Sequence, residues 1–91
     1  MRPKIKRHIC SDHCAKFSLF KPNGVPASEL VQIKIESDEF EAVRLADLEG
    51  LSQQDSAQQM RVSRQTFANI LKSGRKKITS ALVNGDALRL G

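Results

Sequence analysis

The 91-residue sequence has few aromatic residues, since it contains four Phe and neither Trp nor Tyr. Its core must therefore consist mostly of Leu, Ile, Val and Ala, and the chain is long enough for one small core. No apolar run approaches the roughly 20 residues of a transmembrane helix. The basic start MRPKIKR lacks the apolar stretch of about 7–15 residues found in secretory signals. We therefore expect a cytoplasmic protein that does not bind a membrane.

Patterns that carry catalysis are also lacking. The sequence contains no Gly-rich phosphate loop, no nucleophile motif and no paired carboxylates beyond those expected at helix N-termini. We therefore expect a protein that is not an enzyme and that needs no cofactor.

Cysteine is scarce, and both copies lie beside the two histidines in the order His8, Cys10, His13 and Cys14. These side chains are of the right type and number for zinc. Zinc loops, however, usually carry ligands in pairs about two to four residues apart, with a long gap between the pairs. We therefore expect a reduced thiol pair beside two surface histidines. The alternatives are a zinc site and a redox-sensing disulfide between the two cysteines.

Positive charge is unevenly distributed along the chain. The net charge is +5, made up of +4 in residues 1–36, −5 in residues 37–60 and +6 in residues 61–91. Basic segments of this kind suit a phosphate backbone, because binding releases condensed counterions. The alternative is the small excess of lysine that many soluble proteins carry.

Residues 1–29 show no regular period and contain all three prolines, so we describe them as an N-terminal arm. The arm is expected either to pack on the rest of the chain through its apolar residues or to be partly mobile; these residues are Phe17, Leu19, Phe20 and Val25. Residues 30–35 then alternate, with Val31, Ile33 and Ile35 on one side, which predicts a half-buried strand. Its expected partner is residues 87–90 or the same strand of a second subunit.

Three helices are predicted after this strand. The first has Asp38 as N-cap with Glu41 three residues on, and it ends at Gly50 in the left-handed conformation. Its apolar side is expected to contain Phe40, Val43, Leu45, Ala46 and Leu48. The acidic residues between positions 36 and 49 are interpreted as a solvated helix face.

The second helix is expected to begin after Ser52, with Asp55 as its third residue, and to run to about Met60. The third begins after Ser63 and keeps its apolar period past Gly74, which predicts one long helix ending near residues 84–85; the alternative is two helices hinged at Gly74. Glycine at that interior position should weaken the helix by about 1 kcal/mol.

Residues 52–71 predict a helix-turn-helix, which places its second helix in the DNA major groove. Ala57 is small enough for the two helices to touch, and Met60, Val62, Phe67 and Ile70 form the shared core. The helical period turns polar residues outward on the second helix. Arg, Gln and Asn recognise base edges, whereas basic and hydroxyl groups hold phosphates. The predicted base contacts are Arg64, Gln65, Thr66 and Asn69, and the predicted phosphate contacts are Arg61, Ser63, Lys72, Arg75, Lys76 and Lys77.

Several motifs resemble those of one known family. They are DEFEAVRLAD at 38–47, EGLSQ at 49–53, MRVSRQTF at 60–67 and ALVNGDAL at 81–88, together with RP at 2–3 and FKPNGVP at 20–26. The chain thus resembles a family of small predicted DNA-binding proteins of bacteria and archaea, whose helix-turn-helix is similar to sigma factor region four. The resemblance implies this fold and DNA binding. The family favours Gly in the turn where this chain has Arg61, at a position that usually takes a left-handed backbone.

The sequence therefore predicts a mainly α fold: a three-helix domain over residues 30–91, similar to sigma factor region four, with a long last helix and a small β element. We expect a sequence-specific regulator that binds double-stranded DNA with the helix at 63–83. It is expected to form a homodimer, and the basic residues 2–7 are expected to enter an adjacent groove or to follow the backbone. The alternative is a protein-interaction module that docks on the transcription machinery, including RNA polymerase.

Overall fold

A computed structural model describes residues 19–90 of the chain. Its regular elements are β1 (Leu19–Phe20), β2 (Gln32–Ile35), α1 (Ser37–Val43), α2 (Gln53–Met60), α3 (Arg64–Asn84) and β3 (Ala87–Leu90). A 3₁₀ turn at Ala27–Glu29 precedes β2, and a π-helical segment at Arg44–Leu48 follows α1. The described part of the chain is therefore mainly helical with a small sheet, as predicted. No helix within it has the length and apolar character needed to span a bilayer.

The three strands form one sheet in the order β1-β3-β2. β3 lies parallel to β2 and antiparallel to β1, so the partner predicted within the chain for β2 is confirmed. β1 belongs to the N-terminal arm and is too short to show an alternating pattern in the sequence. β2 is shorter than predicted. Val31, expected on its buried side, is 65% exposed, although its carbonyl accepts a hydrogen bond from the Ala87 amide at 2.9 Å.

The N-terminus of α1 lies two residues earlier than predicted. Glu36, not Asp38, is the N-cap, and its side chain and that of Glu39 form a reciprocal capping box. The Glu36 amide donates to Glu39 Oε1 at 2.9 Å. Glu36 has extended backbone angles (φ −74°, ψ 155°), so the chain passes from β2 into the helix without a loop.

The π-helical segment changes which residues of the first helical region face the core. Leu48, predicted on the apolar side, is 77% exposed. A π-helical turn bonds residue i to residue i+5 and so rotates everything that follows relative to an α-helix. The 3.6-residue period therefore fails across Arg44–Leu48. Gly50 has φ +73°, which confirms the left-handed position after this region.

α3 is a single helix of 21 residues, as predicted, and it connects two apolar clusters. One cluster lies between the helices and contains Ala42, Leu45, Ala57, Met60, Phe67, Ile70 and Leu71. The other lies between α3 and the sheet and contains Ile35, Ala81 and Leu88. Gly74 lies where α1 crosses α3: a Cβ there would stand 3.0 Å from the Glu39 carbonyl oxygen and 3.0 Å from Val43 Cγ2. The glycine permits this close approach of the two helices.

Candidate nucleic-acid interface

α2 and α3 are joined by a turn of three residues, Arg61, Val62 and Ser63. Arg61 adopts the left-handed conformation (φ 57°, ψ 43°), as the family pattern implies for this position. The Val62 amide donates to the Ala57 carbonyl at 3.1 Å and so satisfies a carbonyl at the end of α2. Ala57 itself is 3% exposed, which confirms the predicted small residue at the contact between the two helices.

The N-terminus of α3 is held by Ser63. Its hydroxyl accepts a hydrogen bond from the Thr66 amide at 3.1 Å and donates one to Thr66 Oγ1 at 2.8 Å. The predicted caps Ser63 and Ser52 are both confirmed, the latter by a 3.0 Å bond from the Asp55 amide. Each cap satisfies a backbone amide in the first turn of its helix.

Four exposed residues lie along the side of α3 that points away from the core. We call them the outer stripe: Gln65, Asn69, Lys72 and Lys76. Their spacings of four, three and four residues place them in one line on a helix, opposite Phe67, Ile70 and Leu71. Amides occupy its first half and ammonium groups its second half. Gln65 Nε2 donates to Asn69 Oδ1 at 3.3 Å, so the two amides are adjacent.

The other predicted base contacts flank this stripe. Arg64 is exposed at the first position of α3, whereas Thr66 is half-buried and bonded to Ser63. Among residues 19–90, no carboxylate lies within 4.0 Å of the cationic atoms of Arg61, Arg64, Lys72 or Lys76. These four cations are exposed, and none of them has an ion-pair partner among residues 19–90.

Two predicted phosphate contacts are engaged within the chain. Arg75 binds Asp47 through both ends of its guanidinium, at 3.0 Å from Nε and 2.6 Å from Nη2. Lys77 Nζ lies 2.7 Å from Glu39 Oε1. The hydrogen bond from Arg75 holds the pKa of the Asp47 carboxyl below its usual value. Both cations thus tie α3 to the first helical region.

The prediction that the acidic residues between positions 36 and 49 form a solvated face is wrong for three of the six. Glu36, Asp47 and Glu49 are exposed, whereas the other three are buried. Glu39 and Glu41 are each 3% exposed, and Asp38 is buried as well. Burial alone would raise the pKa of the Glu39 carboxyl, but hydrogen bonds from Lys77, Ser73 and the Glu36 amide, with the Lys77 charge, lower it overall. Glu41 accepts two hydrogen bonds from Arg44, at 2.8 and 2.9 Å. The opposite net charges of residues 37–60 and 61–91 are the sequence signal from which ion pairs between these two segments could have been predicted.

The predicted Cys/His cluster, His8, Cys10, His13 and Cys14, lies outside the described residues, as does the basic segment 2–7. Within residues 19–90 no group of three or more His, Cys, Asp or Glu side chains is arranged to hold a metal ion. The reduced thiol pair expected at the N-terminal cluster stays a prediction, as does the alternative zinc site.

Comparison with known proteins identifies relatives along nearly the whole chain. The family model described as "Protein of unknown function DUF134" matches residues 1–90. A UPF0251 protein of Vibrio parahaemolyticus is 57% identical over 90 residues, which cover 96% of this chain and 88% of the relative. UPF0251 proteins of Shewanella halifaxensis and Aeromonas salmonicida are each 53% identical over 89 residues, covering 98% of this chain and 91% and 85% of the relatives.

No solved structure matches the chain significantly. The names of the relatives state neither a ligand nor an activity, so DNA binding stays a prediction. The family match over residues 1–90 and the bacterial relatives above half identity show that this chain belongs to the DUF134 family.

Proposed function

We propose that this protein is a transcriptional regulator that binds double-stranded DNA sequence-specifically, with α2 and α3 acting as a helix-turn-helix of the kind found in sigma factor region four. The observation that carries the proposal is the outer stripe of α3. It combines two amides that can read bases and two ammonium groups that can bind phosphates on one line. A major groove about 12 Å wide admits a single α-helix presented in this way.

Base recognition is assigned to the first half of α3. Arg64 has a guanidinium that can grip guanine O6 and N7, and Gln65 and Asn69 have amides that can pair with adenine N6 and N7. Thr66 is placed one turn from Ser63, and its methyl can contact a thymine methyl. Because Arg64 has no carboxylate partner among the described residues, its binding to a base requires no ion pair of the described structure to break.

Phosphate binding is assigned to Arg61, Ser63, Lys72 and Lys76, which border the base-reading residues on both sides. Arg75 and Lys77 contribute in a second way, because their ion pairs with Asp47 and Glu39 hold α3 against α1. Arg75 remains 51% exposed and can contact a phosphate while it keeps Asp47. Contacts of this type position the protein on the duplex without reading its sequence.

A salt titration of binding to random duplex DNA tests the proposal. Each neutralised phosphate contributes about −0.9 to the slope of log K against log salt concentration. Three cationic contacts, from Arg61, Lys72 and Lys76, therefore predict a slope of about −2.7, and further contacts from the N-terminal arm would steepen it. Absence of binding at low salt would overturn the proposal and favour a module that docks on the transcription machinery.

Two substitutions separate the assigned roles. Arg64→Ala should relax the base preference measured by selection of bound sequences, because it removes a bidentate contact worth about 1–3 kcal/mol. Lys76→Ala should weaken binding to all sequences alike and make the salt slope shallower by about 0.9. Equal effects of the two substitutions on sequence preference would refute the division of α3 into two halves.

A further inference from the structure

An apolar groove lies at the C-terminal end of α3, on the side of the sheet where β1 pairs with β3. Its volume is about 260 Å³, and Phe20, Leu82 and Leu88 contribute to its lining. Phe20 is 60% exposed and Leu82 is 75% exposed, while the adjacent Val83 is 77% exposed. Exposed apolar side chains that gather in one place mark interaction surfaces more often than single ones do.

The groove also carries one charge of each sign, on Lys21 and Asp86. Lys21 Nζ donates to the Val25 carbonyl at 2.8 Å and to the Pro22 carbonyl at 3.4 Å. The third N–H group of this ammonium can still donate to a carboxylate of a second molecule. Neither Lys21 nor Asp86 forms an ion pair with another of the residues 19–90. In a two-fold interface the same patch lies on both subunits, so the cation of one copy can face the anion of the other.

We propose that a second copy of this chain docks on the groove in a two-fold symmetric dimer. Lys21 of each copy faces Asp86 of the other, and the apolar side chains Phe20, Leu82 and Val83 are buried between them. A two-fold interface uses the same patch on both subunits, so the opposite charges within one patch form two identical ion pairs. Charge complementarity of the patch with itself is what selects a second copy as the occupant.

The position of the groove leaves the DNA-binding end of α3 free. Asn69 and Leu82 are thirteen residues apart, which is about 20 Å along a helix. Two copies joined near residue 82 therefore hold their base-reading ends up to about 40 Å apart, and closer if the helices are inclined. Symmetric half-sites lie about 34–36 Å apart on one face of DNA. The dimer does not depend on DNA binding and can be tested without DNA.

Sedimentation equilibrium of the full chain measures the dimer directly. We expect a mass that rises from monomer to dimer with concentration, and Leu82→Glu should raise the dissociation constant at least tenfold. Leu48→Glu is the matched control, because Leu48 is 77% exposed but does not line the groove. A wild-type chain that is monomeric up to millimolar concentration would overturn the proposal, as would equal effects of the two substitutions.

A charge exchange tests the two-fold arrangement itself. Lys21→Glu places two acids in each contact, and Asp86→Lys places two bases there, so each variant alone should be a monomer. In an equimolar mixture every contact again joins one acid and one base, and we expect a heterodimer with the affinity of the wild type. Failure of the mixture to associate would overturn the two-fold pairing.

The same variants also distinguish a different occupant of the groove. If residues 1–18 of the same chain covered it, Leu82→Glu would lower the free energy of unfolding without changing the mass. A lower free energy of unfolding in urea, together with an unchanged mass in sedimentation, would overturn the dimer proposal.

Discussion

Replacing Arg61 by glycine should stabilise the fold and weaken DNA binding at the same time. Arg61 has φ 57° and ψ 43°, a conformation that costs a residue with a Cβ roughly 1–2 kcal/mol. Glycine adopts it freely but loses more backbone entropy on folding, at a cost of about 0.5–1 kcal/mol. We therefore expect Arg61→Gly to raise the free energy of unfolding by about 0.5–1 kcal/mol. For a domain of this size that corresponds to a rise in Tm of roughly 2–8 °C.

The cost to function follows from the position of the side chain. Arg61 is exposed next to the N-terminus of α3, and no carboxylate among residues 19–90 lies within 4.0 Å of its guanidinium. If it binds a phosphate, its loss should make the slope of log K against log salt concentration shallower by about 0.9. Stability is measured by urea denaturation, and binding by fluorescence anisotropy at several salt concentrations.

Arg61→Ala is the matched control, because it removes the charge and keeps the left-handed strain. Its unfolding free energy should stay within about 0.5 kcal/mol of the wild type, as is usual for surface substitutions, while its salt slope should equal that of Arg61→Gly. If Arg61→Gly is no more stable than Arg61→Ala, the backbone at residue 61 is not strained. Unchanged slopes in both variants would refute the phosphate contact alone.

Three further substitutions test the packing of the helices. Gly74→Ala should lower the free energy of unfolding by about 1–2 kcal/mol, measured in urea, because the added Cβ would press on the Glu39 carbonyl. This loss should exceed the gain of about 1 kcal/mol from the better helix propensity of alanine, so a more stable variant would contradict the close approach of the helices. Ser56→Ala should raise the free energy of unfolding by about 0.5–1 kcal/mol, because the buried Ser56 hydroxyl has no hydrogen-bond partner among the described residues. A less stable variant would show that this hydroxyl does form a hydrogen bond. The folded-state pKa of the Glu39 carboxyl lies below its ordinary 4.5. The stability that the ionised carboxylate contributes to the fold is therefore fully present above pH 4.5, and it is lost as the pH falls through the folded-state pKa. The difference in free energy of unfolding between wild type and Glu39→Gln should therefore shrink in acid. A difference that stays constant down to pH 3 would contradict a lowered pKa for Glu39.

Local signals predicted the helices of the second half of the chain. Ser52 and Ser63 cap α2 and α3 through their own hydroxyls, and Gly50 and Gly85 take the left-handed conformations that close the helical regions. Each of these signals acts over three or four residues, so it is visible in the sequence. The outer stripe was predictable for the same reason, because it depends only on the helical period of α3.

The first helical region was predicted less well because distant residues decide its geometry. The Glu39 side chain that completes the capping box is also bound by Ser73, 34 residues away, and by Lys77, 38 residues away. These contacts favour the cap at Glu36 over the equally plausible local pattern at Asp38. The same contacts pair Lys77 with Glu39, so the engagement of this lysine within the chain could not be inferred from charge and period.

The place of β3 in the sheet has a consequence for the order in which the protein can fold during synthesis. β3 is the last of the described elements, yet it is the central strand, and both β1 and β2 pair only with it among the described residues. The helical cluster of α1, α2 and the first half of α3 is complete once about residue 71 has emerged from the ribosome. The sheet must wait for residues 87–90, while strand edges 32–35 remain open. A chain that stalls before residue 87 would thus carry a formed helical cluster and an unpaired β2, which is the kind of exposed edge that promotes aggregation.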